Sequence, residues 1–324
     1  MKKTLMLGNE AVARGLYEAG VTVVSSYPGT PSTEITENVV QYGDDVYCEW
    51  APNEKVAFEV AFGASTGGAR SFCAMKHVGL NVAADPLYTA SYIGVNAGMV
   101  CAVADDPGMH SSQNEQDSRH HAIAAKVPML EPSDSAECLA FTKLAYELSE
   151  QFDTPVLLRL STRISHSRSL VELSPREERP LKEYHKDVMK NVMMPAMARG
   201  AHVKVEKRTE ALRRWAETAS INTVEYNDKR IGIICAGTTY TYAKEALGER
   251  ASFLKLGMVN PLPVSLIVEF ARNVGQVYVI EELDDIIETH CRKHGVPVIG
   301  RLLFPAIGEY SQATVREALL GENR

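Results

Sequence analysis

A carboxylate stands at the start of an otherwise apolar stretch. Asn53-Glu54 precedes Val56-Ala57-Phe58, and Gly63 follows nine residues after Glu54. The pattern predicts a helix from Glu54 to Gly67 that is buried on nearly every face, so an acid in its first turn needs a reason. One reason is structural, because an acid there interacts favourably with the helix N-terminal dipole. The other is chemical, since a positioned carboxylate shares a proton with a reacting group.

A rigid turn is the second segment that could carry chemistry. Residues 27–33 read Y-P-G-T-P-S-T, in which Pro28 and Pro31 fix the backbone and Gly29 removes a side chain. A tight turn followed by a helix cap at Ser32 explains the pattern by itself. We expect in addition that the hydroxyl of Thr30 faces a ligand.

Polar side chains also follow two further predicted strands. Residues 75–86 read M-K-H-V-G-L-N-V-A-A-D-P and place His77, Gly79 and Asn81 at a strand end. A single histidine is often only a core or surface residue, because an imidazole readily finds a local partner. The sequence therefore predicts a polar strand end and leaves the role of His77 open.

Residues 105–121 form a long polar stretch without aliphatic side chains, which in a compact domain indicates a functional loop. His110, His120 and His121 lack the cysteine or carboxylate spacing that supports a metal site, so we expect none there. Arg119 is the one guanidinium of the segment. It is a candidate to hold a substrate carboxylate through two parallel hydrogen bonds.

The elements that must position these residues alternate between strand and helix. Alternation of this kind predicts an α/β fold with a parallel sheet covered on both faces. Predicted strands are Val21–Ser26, Val46–Trp50, Ser71–Met75, Met99–Ala104 and Val156–Leu160. Predicted helices are Asn9–Gly20, Ser32–Tyr42, Glu54–Gly67 and Asp134–Phe152.

The pattern changes after residue 165. Residues 166–229 are rich in charge and methionine and show no strand signal, which predicts a helical, partly extended connector over the first domain. A second strand–helix series begins at Ile231 and is long enough for a small α/β domain. The predicted organisation is a domain over 1–165, a connector over 166–229 and a domain over 230–324.

Composition excludes several classes of protein. The net charge of −7 does not favour a nucleic-acid surface, and no apolar run suits a membrane helix or a signal peptide, so we expect a cytoplasmic protein. The six cysteines are scattered without C-x-x-C spacing. This favours free thiols in a reducing compartment and argues against an iron–sulfur cluster held by this chain.

Taken together and in order, the four segments carry a resemblance. Y-P-G-T-P-S-T-E-I, P-N-E-K-V-A-F-E-V-A-F-G-A-S, M-K-H-V-G-L-N-V-A-A-D-P and V-A-D-D-P-G-M-H-S-S-Q-N-E-Q-D-S-R resemble the alpha subunits of the indolepyruvate group of thiamine diphosphate-dependent 2-oxoacid:ferredoxin oxidoreductases. L-K-L-G-M-V-N-P-L-P and V-Y-V-I-E-E-L-D extend the resemblance into the second domain. It implies a pyrimidine-binding domain first and a smaller transketolase-C-terminal-like domain second.

The resemblance also implies residue roles. Glu54 would be catalytic, as the acceptor of a hydrogen bond from N1′ of the cofactor aminopyrimidine, while Thr30 and Arg119 would contact the 2-oxoacid. Five further residues would lie against the cofactor: Pro28, Gly29, His77, Gly79 and Asn81.

One motif of the resembled enzymes is missing. The chain has no G-D-G…N sequence, so the diphosphate and its Mg²⁺ would be held by a missing domain or by a partner. The resemblance then implies half a cofactor site, on a truncated product or on one subunit of a split enzyme that is a dimer or a hetero-oligomer. The implied partners are a diphosphate-binding domain or subunit, the beta (gamma-type) subunit and ferredoxin.

The implied reaction is oxidative decarboxylation of aryl 2-oxoacids, indole-3-pyruvate first, to acyl-CoA. The 4Fe–4S clusters and coenzyme A would belong to the full complex and would not be bound by this chain, which alone would be inactive. Two alternatives remain open: a subunit of a non-oxidative 2-oxoacid decarboxylase, and a non-catalytic assembly or regulatory chain.

Overall fold

The first part of the chain alternates strands and helices. A computed structural model describes residues 2–321. Its elements up to residue 166 are β1 (Lys2–Leu7), α1 (Gly8–Glu18), β2 (Val23–Ser26), α2 (Thr33–Val39), β3 (Tyr47–Trp50), α3 (Glu54–Thr66), β4 (Ser71–Lys76), α4 (His77–Val82), α5 (Ala84–Ile93), β5 (Met99–Asp105), α6 (Arg119–Ala125), β6 (Met129–Leu130), α7 (Ser135–Phe152), β7 (Val156–Ser161) and α8 (Thr162–His166). The five strands and four helices predicted for this region are present with small shifts of their ends.

The connector is more structured than its sequence indicates. It contains β8 (Arg168–Leu173), α9 (Val188–Asn191), α10 (Pro195–Thr218) and β9 (Thr223–Glu225). Its sequence showed no strand signal, yet two strands form here beside the predicted helical structure. Strand β8, which reads R-S-L-V-E-L, pairs with β1 at the start of the chain, and the three-residue strand β9 pairs with β11. Neither strand is an uninterrupted apolar run, so local pattern does not mark them.

The last part of the chain returns to strand–helix alternation. Its elements are β10 (Ile231–Ala236), α11 (Thr238–Leu247), β11 (Ser252–Leu256), β12 (Met258–Asn260), α12 (Val264–Arg272), β13 (Gln276–Ile280), α13 (Ile286–Lys293) and α14 (Gln312–Leu320). The strands that the sequence pattern predicts in this region, Ile231–Ala236, Ser252–Leu256 and Gln276–Glu281, agree with β10, β11 and β13 to within a residue.

The main sheet has seven strands in the order β12-β6-β7-β5-β4-β2-β3. All pairs are parallel except β12 with β6, so a strand of the last region completes the sheet of the first. Strand β5 is buried along its whole length, because α3, α4 and α5 pack on one face and α1 and α7 on the other. Parallel sheets need this cover on both faces.

Two smaller sheets complete the fold. A four-stranded sheet in the order β13-β10-β11-β9 is parallel except for β9, and β1 pairs antiparallel with β8 from Lys2↔Leu173 to Leu7↔Arg168. The α/β fold with parallel sheets in two regions is thus confirmed. Within residues 2–321 no helix is long and apolar enough to cross a bilayer.

Four neighbouring strands end at the same edge of the main sheet. β2, β3, β4 and β5 are mutually parallel in this part of the sheet and end at Ser26, Trp50, Lys76 and Asp105. The polar segments predicted to carry chemistry therefore all emerge at one edge. In open parallel sheets ligands bind in the crevice at this edge.

Candidate active site at the carboxyl edge of the main sheet

Glu54 is the first residue of α3, but it does not cap the helix. The cap is Asn53, whose side-chain oxygen accepts a hydrogen bond from the backbone N–H of Val56 at 3.0 Å. The carboxylate of Glu54 is half-buried and makes no hydrogen bond or ion pair with any residue in 2–321. A local capping role therefore does not account for it.

Gly79 lies directly against the Glu54 carboxylate. A Cβ atom built on Gly79 would stand 2.6 Å from both Cγ and Oε1 of Glu54, a distance that side chains do not tolerate. The absence of a side chain at Gly79 therefore lets α4 approach the acid. The two residues were singled out separately in the sequence, and the fold brings them into contact.

The turn over residues 27–33 is held by its own polar groups. The backbone N–H of Gly29 donates to Oγ1 of Thr33 at 2.8 Å, and the Ser32 hydroxyl donates to the Gly29 carbonyl at 2.9 Å. The side chain of Asn9 donates to the Pro31 carbonyl at 2.7 Å. Thr30 is exposed at the tip, and its hydroxyl has no hydrogen bond to the described part of the chain.

Three hydrogen bonds hold the polar loop over residues 106–118 against the start of α4. Lys76 Nζ donates to the Ser111 carbonyl at 2.5 Å, Nε2 of His77 lies 3.2 Å from the Asn114 carbonyl, and Asn81 Nδ2 donates to Gln116 Oε1 at 2.9 Å. His77 is buried, and its Nδ1 has no partner among residues 2–321. A buried polar atom without a partner is costly and points to a ligand or an ordered water.

Asp106 organises that loop, and sequence reasoning missed it. Its carboxylate accepts hydrogen bonds from the Ser112 hydroxyl at 2.5 Å, the Thr162 hydroxyl at 2.6 Å, and the backbone N–H groups of Ser111 and His110 at 2.9 and 3.2 Å. Burial would raise the pKa of Asp106, but these four hydrogen bonds outweigh it and lower the pKa. The sequence pattern that could have indicated this role is an aspartate directly after a buried strand and before a serine-containing loop.

Arg119 is not placed to bind a substrate in this structure. It is 1% exposed, and its guanidinium donates to Asp117 at 2.6 Å and to Glu281 at 2.7 Å. It also donates to the carbonyls of Glu282 and Asp284 at 3.1 and 2.8 Å. The geometry makes Arg119 a link between the two regions of the fold. Its role in substrate binding therefore stays a prediction that these contacts do not favour.

A second buried arginine lies beside this link. Arg159, from the middle of β7, donates to Asp105 at 2.7 Å and forms an ion pair with Glu131 at 2.7 Å. Burial raises the pKa of Asp105, whereas for Asp117 the positive charges of Arg119 and Arg159 outweigh burial and lower the pKa. A charge inside the apolar run V-L-L-R-L must be paired. An arginine inside this apolar run therefore indicates, from the sequence, a buried network of ion pairs.

The three histidines of the loop do not converge. His110 lies 3.2 Å from Glu309, and His120 lies 2.8 Å from Asp284. Within residues 2–321 no group of three or more histidine, cysteine or acidic side chains is arranged to hold a metal ion.

Glu282 makes the stability of the fold depend on pH. Burial, together with the charges of Glu309 and Glu131, raises its pKa to about 7, against hydrogen bonding from the backbone N–H of Tyr310. A raised pKa stabilises the fold at low pH, and this contribution is lost as the pH rises from about 4.3, the unfolded value, to about 7. We expect Glu282→Gln to increase the free energy of unfolding on the order of 3 kcal/mol at pH 8 and to change it little at pH 4.

Urea denaturation at the two pH values measures this effect. Glu245→Gln is the matched control, because Glu245 is exposed on α11 and should change neither value. Equal gains at both pH values would show that Glu282 does not titrate as described.

The fold and this edge of the sheet correspond to one class of protein. Residues 14–227 match the family model described as pyruvate flavodoxin/ferredoxin oxidoreductase, thiamine diphosphate-binding. Since the match covers most of the chain, the class is a thiamine diphosphate-binding α/β protein with a second, transketolase-like α/β domain. This confirms the fold class and the cofactor class that the sequence implied.

The chain belongs to the pyruvate flavodoxin/ferredoxin oxidoreductase family. Indolepyruvate oxidoreductase subunit IorA of Archaeoglobus fulgidus is 42% identical over 98% of this chain and 53% of the relative. IorA of Methanothermobacter thermautotrophicus is 43% identical over 98% of this chain and 54% of the relative. The chain thus spans about half the length of these relatives, and the resemblance to the indolepyruvate group is confirmed.

Solved structures show the same fold at low identity. The 2-oxoglutarate:ferredoxin oxidoreductase of Magnetococcus marinus, solved with 2-oxoglutarate, coenzyme A and succinyl-CoA bound, aligns with a TM-score of 0.82 at 18% identity, over 98% of this chain and 65% of that one. A split-gene transketolase, an inactive beta4 tetramer, aligns with a TM-score of 0.57 at 18% identity, over 91% and 88% of the two chains.

Proposed function

We propose that this chain supplies the aminopyrimidine-binding half of the thiamine diphosphate site in a 2-oxoacid oxidoreductase. The observation that carries the proposal is the Glu54 carboxylate, which is half-buried, free of partners among residues 2–321 and packed on Gly79 at the carboxyl edge of a parallel sheet. A carboxylate kept in this state is available to a ligand.

We propose that a flat heteroaromatic ring lies beside Glu54. Gly79 keeps the space beside Glu54 free of a side chain, and the Nδ1 atom of His77 is buried without a partner. Pro28 and Gly29 lie on the neighbouring turn, where Gly29 packs on the Lys76 side chain, and Asn81 extends the polar wall. In the proposed site Glu54 holds the ring nitrogen while these groups lie around it.

Two residues of this chain have a definite task in the proposed reaction. The bound cofactor supplies the nucleophile for the 2-oxoacid carbonyl, while the protein supplies orientation and electrostatics. Glu54 accepts a hydrogen bond from the protonated ring nitrogen and thereby holds the proton at that atom. Thr30, exposed on its rigid turn, offers a hydroxyl to the substrate. The predicted contact between Arg119 and the substrate is not part of this proposal, because the guanidinium pairs with Asp117 and Glu281.

The finer proposal concerns substrate and partners. We propose oxidation of aryl 2-oxoacids, indole-3-pyruvate first, to acyl-CoA with ferredoxin as acceptor. The names of the IorA relatives support the substrate class. A diphosphate-binding domain or subunit would hold Mg²⁺, and the 4Fe–4S clusters would reside in other parts of the complex. The chain alone would then be inactive.

Reconstitution tests the proposal. The chain is combined with a diphosphate-binding polypeptide and the beta-type subunit, and indole-3-pyruvate, coenzyme A and oxidised ferredoxin are supplied. Acyl-CoA together with reduced ferredoxin is the expected result. Free aldehyde without an electron acceptor would indicate a non-oxidative decarboxylase. Tight saturable binding of thiamine diphosphate and Mg²⁺ by the isolated chain, measured by titration calorimetry, would contradict a half-site.

Gly79→Ala tests the contact between the helix and the acid. The new Cβ would stand 2.6 Å from Glu54, so the carboxylate must move away from its position. We expect the Kd of thiamine diphosphate in the reconstituted complex to rise by about tenfold or more, equivalent to about 1.4 kcal/mol.

Gly63→Ala is the matched control for this variant. Gly63 is exposed within α3, and a Cβ there meets no atom within 4 Å, so cofactor affinity should not change. The helix itself should gain up to about 1 kcal/mol, because alanine is the better helix former. Equal affinities for the two variants and the unmodified chain would show that the ring does not lie against Glu54 and Gly79.

A further inference from the structure

A second concave site lies under the connector. A cavity of about 330 Å³, called the connector cavity below, is bounded by the ends of α5 and α7 and by α9 and α10. None of the residues assigned to the Glu54 site lines it. Its size is that of a site for a small organic ligand.

The walls of the connector cavity are largely apolar, and they include aromatic and thioether side chains. Tyr92 and Phe152 come from the first region, whereas Met193 and Met197 come from the connector. Methionine side chains are flexible and polarisable, so they adapt to the shape of an apolar ligand. These walls suit the apolar body of a ligand better than a bare inorganic ion.

The same cavity carries uncompensated positive charge. Lys190 is neutralised by Asp153, whose Oδ1 lies 2.8 Å from its Nζ. Lys204 and Arg208 also line the cavity, and neither forms an ion pair within the described residues. This contrasts with the chain as a whole, whose net charge is −7. The cavity therefore attracts anions.

Arg208 is held rigidly by groups that do not neutralise it. Its guanidinium donates to the carbonyls of Ser91 and Asp153 at 2.9 and 3.0 Å and to the Ser91 hydroxyl at 2.9 Å. Its Nε is buried and has no partner among residues 2–321. Burial lowers the pKa of Arg208 to about 10, although the negative charge of Asp153 opposes this shift. A partly buried cation of this kind, with one N–H left unpaired, is favoured by an added counter-ion.

Gly200 leaves one wall of the cavity open. It lies inside α10, where glycine costs about 1 kcal/mol relative to alanine. A Cβ at this position would meet no atom within 4 Å, so the packing of the described chain does not require glycine there. The missing side chain keeps space free beside Arg208 and Lys204.

We propose that the connector cavity binds a small organic anion with an apolar body. The carboxylate or sulfonate head pairs with Lys204 and Arg208, and the body lies against Met193, Met197 and Tyr92. The site combines a hydrogen-bonded, partly buried cation, an exposed cation and an apolar wall. It is independent of the function proposed for Glu54.

Titration calorimetry of the 324-residue chain with sodium octanoate tests the proposal. Acetate carries only the anionic head of octanoate, and octan-1-ol carries only its apolar body, so these two compounds test the two parts separately. We expect saturable octanoate binding and at least about tenfold weaker binding of acetate and octan-1-ol.

Gly200→Leu fills the space in the cavity and should abolish octanoate binding without lowering the melting temperature. Lys204→Ala should weaken binding several-fold, whereas Lys207→Ala, a neighbouring cation outside the cavity, should not.

Two results would overturn the proposal. The first is octanoate binding that is absent, or that is the same in Gly200→Leu as in the unmodified chain. The second is an unchanged octanoate affinity together with loss of subunit association in Gly200→Leu, which would make the cavity a surface for a polypeptide.

Discussion

Glu54→Gln lowers kcat of the reconstituted enzyme by about 10²–10⁴-fold, the range in which a positioned acid–base group contributes. Glutamine has nearly the same size and presents an amide in place of a carboxylate, so it cannot hold a proton at the ring nitrogen. The Glu54 side chain has no hydrogen bond or ion pair within residues 2–321, so its loss should leave folding intact. The measurement is steady-state turnover of 2-oxoacid, with the melting temperature recorded in parallel.

Glu59→Gln provides the matched control on the same helix. Glu59 is 51% exposed, and among residues 2–321 its carboxylate pairs only with Lys55, at 4.0 Å, so turnover should not change. Normal turnover in Glu54→Gln would reject the catalytic role of this acid. Lost turnover together with a large fall in melting temperature would assign it a structural role instead.

Arg119→Ala lowers the free energy of unfolding by about 3–5 kcal/mol, because it leaves buried carboxylates without their partner. Asp117 and Glu281 are 5% and 6% exposed, and both depend on this guanidinium. Asp117 keeps a lowered pKa despite burial because of Arg119 and Arg159, so its contribution is present above about pH 4 and lost as the pH falls further. Urea denaturation at pH 7 measures the loss of stability. This loss should be smaller at pH 3, because the carboxyl groups left unpaired in the variant protonate there.

The control for the stability effect of Arg119→Ala is an exposed ion pair. Arg230 is 88% exposed and pairs with Asp228, so Arg230→Ala should change stability by no more than about 1 kcal/mol. If Arg119→Ala kept its stability and raised only the KM for 2-oxoacid, Arg119 would be a substrate clamp, as the sequence resemblance implied. A loss of stability without a change in KM would establish the link between the two regions.

Much of the secondary structure follows from local pattern. The helix from Glu54 begins where Asn53 can cap it, and the turn at 27–33 follows from its prolines and glycine. Strands such as Ser71–Lys76 and Met99–Asp105 are apolar runs of the length that a covered parallel sheet requires. These features depend on neighbours within a few residues, so the sequence contains what is needed to predict them.

The pairing of strands from distant segments could not be predicted from local sequence pattern. Strands β1 and β8 are separated by about the whole first region, and β12 leaves the last region to pair with β6. The residues of these strands are short, mixed runs without clear alternation. Their pairing depends on which edges the packed helices leave open, and that is a property of the assembled fold.

The sequence alone determined most strands of the main sheet, the family and the identity of the acid at position 54, because caps, prolines and apolar runs act over short distances. The tertiary structure decided which groups meet. Tertiary packing places Gly79 against the Glu54 carboxylate. It also brings Arg119 into contact with Glu281, 162 residues further along the chain. An arginine has the same charge in a substrate pocket as in a buried ion pair, and the distant segment that folds against it selects between these two roles.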